Sequence, residues 1–231
     1  MSHLSRHFTE ERRDNQMAKK IMIKGAIVSN NDYPVYEWLD IEATSPKIVH
    51  EQLAEAKGQP VEVDINSGGG DVFAGSEIYS ALRAYSLNGG RVTVNIVGLA
   101  ASIASVIAMA GDVVRITPVG QIMIHNASIH GASGDYRDMN HMSGVLKNVN
   151  QTLANAYRLK TGKTESELLS MFDAETWLTP EQALRHGFVD EILFDDQIQT
   201  GLSVAGRSQV GSHQTRKMTA QLNLMKLKVG I

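Results

Sequence analysis

Val61-Glu62-Val63-Asp64-Ile65-Asn66-Ser67-Gly68-Gly69-Gly70-Asp71 is the stretch on which the reading of the fold turns. Val61 to Ile65 alternates apolar and acidic residues and predicts a strand. Asn66 to Gly70 predicts a loop, and Asp71 to Leu87 a helix with Ala74, Ile78, Ala81, Leu82 and Tyr85 along one stripe. The pattern then repeats. Arg91 to Val97 reads as a strand, Gly98-Leu99-Ala100-Ala101 as a tight turn, and Ser102 to Ala110 as a short apolar helix closed by Gly111. Repeated strand–turn–helix units predict an α/β domain whose strands carry their loops to one edge, where ligands usually bind.

Outward from this centre, Ile21 to Val28 predicts a strand. Ser45-Pro46 predicts an N-cap and first helical residue, with Ile48, Val49 and Leu53 on the apolar face and Gly58 as the stop. Two further strands are expected near Val113 to Ile116 and Gln121 to Ile124. Met142, Leu146, Val149, Leu153 and Tyr157 mark a long amphipathic helix from Tyr136 to Lys160. Capping boxes at Thr164/Glu167 and Thr179/Gln182 start the last two helices, the second ending at Gly187. The domain is therefore expected over residues 19–194. Residues 1–18 read as a polar arm without apolar periodicity, and residues 195–231 as a tail, first polar and then basic. Arg12-Arg13 encoded as AGG-AGG would form a ribosome-binding sequence a few codons before Met17, which would make Met17 the natural start.

Bulk composition narrows the function. With 231 residues, 42% hydrophobic and 20% charged, the chain suits one domain with a sizeable core. A net charge of -3 provides no basic field for nucleic acid or an anionic membrane. The absence of cysteine excludes disulfides, a thiol nucleophile and Cys-ligated metal, and with no secretory h-region a cytoplasmic location is expected. Asn95, Gly98, Ser102 and Ser105 break the apolar run from Val92 to Ala110, which reads as core rather than as a membrane span.

Ser102 stands between a strand and a helix. Small neighbours there admit a substrate, the helix N-terminus favours negative charge, and adjacent amides can hold an oxyanion; the same position also suits a plain helix cap. The glycines at 68–70 let main chain approach a ligand, and by themselves fit a phosphate cradle equally well. His125, at the end of a strand, can take the serine proton near neutral pH. Asp173 and Glu175, just before the last capped helix, offer a carboxylate to orient the imidazole. The remaining histidines lack metal-ligand spacing, so neither a metal site nor a cofactor is expected.

Taken in order, these segments resemble the Clp protease proteolytic subunit family, in particular its phage and prophage members that serve as head maturation proteases. The resemblance covers roughly Lys20 to Leu193. It implies Ser102 as nucleophile and His125 in Met123-Ile124-His125 as base, with the amides of Gly70 and Ile103 as the oxyanion hole. It implies Glu175 as the acid, two positions before Trp177, where the family usually has Asp; Asp173 is the competing assignment. It also implies a crotonase-like fold of repeated ββα units with a long handle helix, and homo-oligomeric, commonly heptameric, stacked rings. A Clp-type ATPase and a phage capsid or scaffold protein are the partners it implies. Gly68 replaces the Pro usual in the cellular enzymes, and the loop from Asn126 to Asp135 differs from theirs. Extended substrate is expected to add as a strand between Asp71-Val72 and Asn126. Two other readings stay open: a crotonase-type acyl-CoA hydratase or isomerase, and a catalytically silent capsid-assembly subunit.

Overall fold

The computed structural model describes residues 18–194. The expected arm and tail, and the reading of Met17 as a start, lie outside the described residues. Strands β1 (Lys19–Ile27), β3 (Val61–Gly70) and β4 (Val92–Ala101) run parallel at the centre of an eight-stranded sheet. Their register aligns Ile21 with Val63 and Val94, and Ile23 with Ile65 and Ile96, and none of these six side chains has measurable exposure. Burying each contributes about 1.5–3 kcal/mol relative to leaving it exposed. The intervening row, Met22, Asp64 and Asn95, faces the other way, and Asn95 Nδ2 donates to Asp64 Oδ1 at 2.9 Å.

Helices α2 (Pro46–Ala56), α3 (Val72–Leu87) and α4 (Ile103–Ala108) lie side by side on the apolar face. They bury Val49, Leu53, Ile78, Leu82, Ile103 and Ile107 against it. Strand β2 (Ala43–Thr44) pairs with β1, and a short helix α1 (Tyr33–Trp38) packs against β2. The sequence provides no periodicity for α1 because the helix buries none of its residues.

Strand β4 divides its partners. Thr93 to Ile96 pairs with β5 (Val113–Ile116), whereas Leu99 to Ala101 pairs with β6 (Gln121–Ile124). Helices α5 (Tyr136–Thr161) and α6 (Glu165–Asp173) follow, then β7 (Thr176–Leu178), antiparallel to β6, helix α7 (Pro180–Arg185), and β8 (Glu191–Ile192) on β5. The two expected capping boxes are formed at Thr164 and Thr179, and a third, Asp135 with Asp138, starts α5.

The α/β class is as expected, with local corrections. Asn66–Gly70 and Gly98–Ala101 are strand rather than loop and turn. Their backbone groups find ladder partners, Ala26↔Gly69, Ile27↔Gly70, Ser67↔Ala100 and Leu99↔Gln121, and pairing overrides the weak strand propensity of glycine. The Ser102–Ala110 helix is shorter, running from Ile103 to Ala108. Helix α2 ends at Ala56, two residues before Gly58, and Lys57 caps it in the left-handed conformation (φ 51°).

Candidate active site

The partition of β4 builds the site. Ala101, the last residue of β4, is in register with Met123, β6 ends one residue later at Ile124, and Ser102 N–H donates to Met123 O at 2.9 Å. Ser102 then turns sharply into α4 with φ 53° and ψ -129°, a region that a non-glycine residue occupies only when its surroundings hold it there. His125, one residue beyond the end of β6, places Nε2 2.8 Å from Ser102 Oγ. The two residues paired on chemical grounds in the sequence are thus within hydrogen-bond reach, 23 positions apart.

The Asn-Ser-Gly-Gly-Gly segment forms the opposite wall. Asn66 Oδ1 accepts the Leu99 N–H at 3.1 Å, and Ser67 Oγ donates to Gly25 O at 2.7 Å while accepting the Gly69 N–H at 3.1 Å. The polar pair of the motif is therefore scaffold for the glycines that follow. A Cβ on Gly69 would lie 2.7 Å from Ser102 Cβ and 2.9 Å from Ala101 O, and Gly69 has φ 97°. Gly69→Ala is accordingly expected to displace Ser102 and to slow labelling of its hydroxyl by a fluorophosphonate at least about 100-fold, checked by the labelling rate beside a thermal melt; an unchanged rate would show that the two walls do not touch as described.

The Asp71 N–H donates to Ile27 O at 2.8 Å, on the β1 side. Alternation along an extended chain directs the preceding amide, that of Gly70, toward the β4 side, where Ser102 lies. Ile103 is the first residue of α4, so its N–H has no acceptor within that helix.

The two candidate acids are placed differently. Asp173, the last residue of α6, accepts from Asn126 Nδ2 at 2.8 Å, and Asn126 Oδ1 accepts in turn from Asn150 Nδ2 at 2.7 Å. Asp173 thus grips the residue beside the histidine. Glu175 has φ 45°, and its carboxylate accepts from the Trp177 indole N–H at 3.3 Å. The antiparallel pairs Ile122↔Leu178, Met123↔Trp177 and Ile124↔Thr176 make Glu175 the next residue across from His125. Among the hydrogen bonds of the described residues, neither carboxylate reaches the imidazole.

Two of the three residues expected at the substrate are used otherwise. The Asp71 carboxylate caps α3 through Ala74 N–H at 2.7 Å, and its own N–H and C=O are bonded to Ile27 O and Gly75 N–H. The Asn126 side chain is committed to Asp173 and Asn150. Neither role has a signal in the linear sequence beyond the cap at Asp71. Val72 does line an apolar cavity of about 330 Å³ with Phe73, Ile129, Met142, Val145 and Leu146, which is bounded at one end by Gly70.

The profile of the Clp protease family matches residues 40–196. The ATP-dependent Clp protease proteolytic subunit of Deinococcus radiodurans is 31% identical over 137 residues, which make up 58% of this chain and 65% of that protein. Proteolytic subunit 1 of Chlamydia abortus is 34% identical over 141 residues, 59% of this chain and 71% of that protein. Proteolytic subunit 2 of Tropheryma whipplei is 32% identical over 130 residues, covering 55% and 70%.

Proposed function

The chain belongs to the Clp protease family, and from that premise we propose that it is a serine endopeptidase in which Ser102 is the nucleophile and His125 its general base. The 2.8 Å contact between Ser102 Oγ and His125 Nε2 carries this reading. A neutral imidazole with its proton on Nδ1 accepts the hydroxyl proton as Oγ attacks the peptide carbonyl, then returns it to the leaving amine. The amides of Gly70 and Ile103 hold the oxyanion, and Glu175, across from His125, orients the ring and stabilises its charged form. Water then hydrolyses the acyl-enzyme by the same route reversed. Labelling with a fluorophosphonate, mapped by mass spectrometry, is expected to modify Ser102 alone; modification elsewhere, or none on folded and assembled protein, would overturn the assignment.

The acyl-CoA reading needs placed carboxylates beside the glycine turns. Asp71, the carboxylate nearest in sequence to them, is spent as a helix cap.

Extended substrate enters between Val72 and the segment after His125, and the apolar cavity takes the side chain before the scissile bond. A peptide library is expected to show broad tolerance elsewhere, with charged residues at that one position cleaved about tenfold more slowly than Leu or Met. A strict preference at every position would contradict it.

The finer assignment is a phage or prophage head maturation protease that cuts a capsid or scaffold protein. It rests on the order and spacing of the four motifs and is tested by cleavage of co-expressed capsid protein. A homo-oligomeric ring is supported by the half-exposed stripe Met139, Met142, Val145 and Leu146 on α5. A Clp-type ATPase and a cytoplasmic setting belong to the same proposal. Among the described residues, no helix is long and apolar enough to cross a membrane.

A further inference from the structure

Behind the nucleophile lies a hydroxyl pair for which the mechanism above has no use. Ser105, on α4, has no measurable exposure, and its Oγ lies 2.6 Å from Ser102 O, 3.1 Å from Met123 O and 2.7 Å from Tyr157 Oη. Tyr157 comes from α5, 52 positions later, and is itself buried. Its ring is wedged between Phe172 and Phe188, with centroids at 5.6 and 5.8 Å. Burial pushes the Tyr157 phenol well above its ordinary value, so it stays neutral and able to donate.

The hydrogen count then settles the directions. A carbonyl cannot donate, so the single Ser105 proton goes to Ser102 O, the nearer of two carbonyls, and Tyr157 O–H donates to Ser105 Oγ. The Ser102 carbonyl also accepts the Ser105 N–H at 3.0 Å. That carbonyl shares a rigid peptide plane with the N–H of Ile103, and the two point in opposite directions. Holding the oxygen on the Ser105 side therefore aims the Ile103 amide away from it. Met123 O, two residues before His125, lies 3.1 Å from the same oxygen, and with the one proton on Ser102 O this is a packing contact only.

We propose that Ser105, backed by Tyr157, is a positioning residue that locks the Ser102–Ile103 peptide plane and so aims the Ile103 N–H at the oxyanion. This rests on the serine-peptidase reading. Without the hydroxyl, the strained turn at Ser102 loses one of two donors to its carbonyl, and the plane gains freedom to rotate. The consequence falls on the transition state, where charge develops on the oxygen, and not on the ground-state complex.

The test compares wild type, Ser105→Ala, Tyr157→Phe and the double variant, each as assembled protein, on a short fluorogenic peptide and in a thermal melt. Ser105→Ala is expected to lower kcat roughly tenfold with KM unchanged, and Tyr157→Phe to lower it less. Ser105→Ala strands a buried phenol hydroxyl, whereas the double variant removes both partners and is expected to regain melting temperature. Its kcat should nevertheless stay at the Ser105→Ala level. Recovery of kcat along with stability would reduce the pair to core packing and overturn the proposal, as would a kcat loss matched by a rise in KM. Wild type that turns over peptide while Ser105→Ala does so equally well refutes the positioning role alone. Wild type that neither cleaves peptide nor accepts a fluorophosphonate removes the peptidase reading and this role with it.

Discussion

Ser102→Ala is expected to lower hydrolysis of a short peptide by on the order of 10⁴- to 10⁶-fold, and His125→Ala to reach the same floor. On the proposed mechanism the two act as one unit. Without Nε2 at 2.8 Å, the Ser102 hydroxyl is a poor nucleophile, and without the hydroxyl the imidazole has no proton to take. The double variant should therefore be no slower than either single one, the remaining rate coming from substrate binding and the two oxyanion amides. Ser102→Ala should also leave the melting temperature nearly unchanged, because Ala meets the same backbone constraint at φ 53° that Ser does. The decisive readout is kcat/KM against a fluorogenic peptide, with assembly verified by size-exclusion chromatography. A His125→Ala variant that retains more than about a tenth of the activity would remove the histidine from the mechanism.

Glu175→Gln is expected to lower kcat by about 10² to 10⁴, whereas Asp173→Asn lowers it less than about tenfold. The difference follows from what each carboxylate holds. Pairing of Ile124 with Thr176 sets Glu175 opposite His125, and its present bond to the Trp177 indole, at 3.3 Å on an exposed surface, lies at the weak end of hydrogen bonding. Little opposes turning that carboxylate to the imidazole. Asp173 is bound to Asn126 at 2.8 Å, a neutral amide that an Asn in its place could still pair with. Its loss should loosen the Asn126–Asn150 bridge and appear in stability before chemistry. Steady-state kinetics of the two variants, paired with thermal melts, separate the roles. An inactive Asp173→Asn beside an active Glu175→Gln would transfer the acid to Asp173 and break the register argument.

Much of this arrangement is legible in the linear chain, because it rests on interactions of short range. Strand alternation at Val61–Ile65, the apolar stripe of α3, and the capping boxes at Thr164 and Thr179 depend on residues within one or two turns of one another, so period and spacing report them directly. The pairing of Ser102 with His125 was also accessible, since each ends a strand at the same edge of a parallel sheet and their chemistry is complementary.

Other features depended on contacts that no local pattern encodes. Strand β4 continues through Gly98 to Ala101 because β3 and β6 provide ladder partners there, and without those partners the glycine and alanines read as a turn. Asp71 and Asn126 were open to a role at the substrate until packing committed one to the cap of α3 and the other to Asp173 and Asn150. Ser105 stood out in the sequence only as one of four residues that interrupt the apolar run from Val92 to Ala110. Only the approach of α5 set Tyr157 against it, across 52 positions. From the linear chain came the α/β class, the order of the main strands and helices, and the choice of Ser102 and His125 as a chemically complementary pair, all carried by short-range periodicity, caps and residue type. The contact of Ser102 with His125, the commitment of Asp173 to Asn126 and the approach of Tyr157 to Ser105 came only with the folded chain, because a hydrogen bond between distant residues depends on register and packing, and neither leaves a period in the chain.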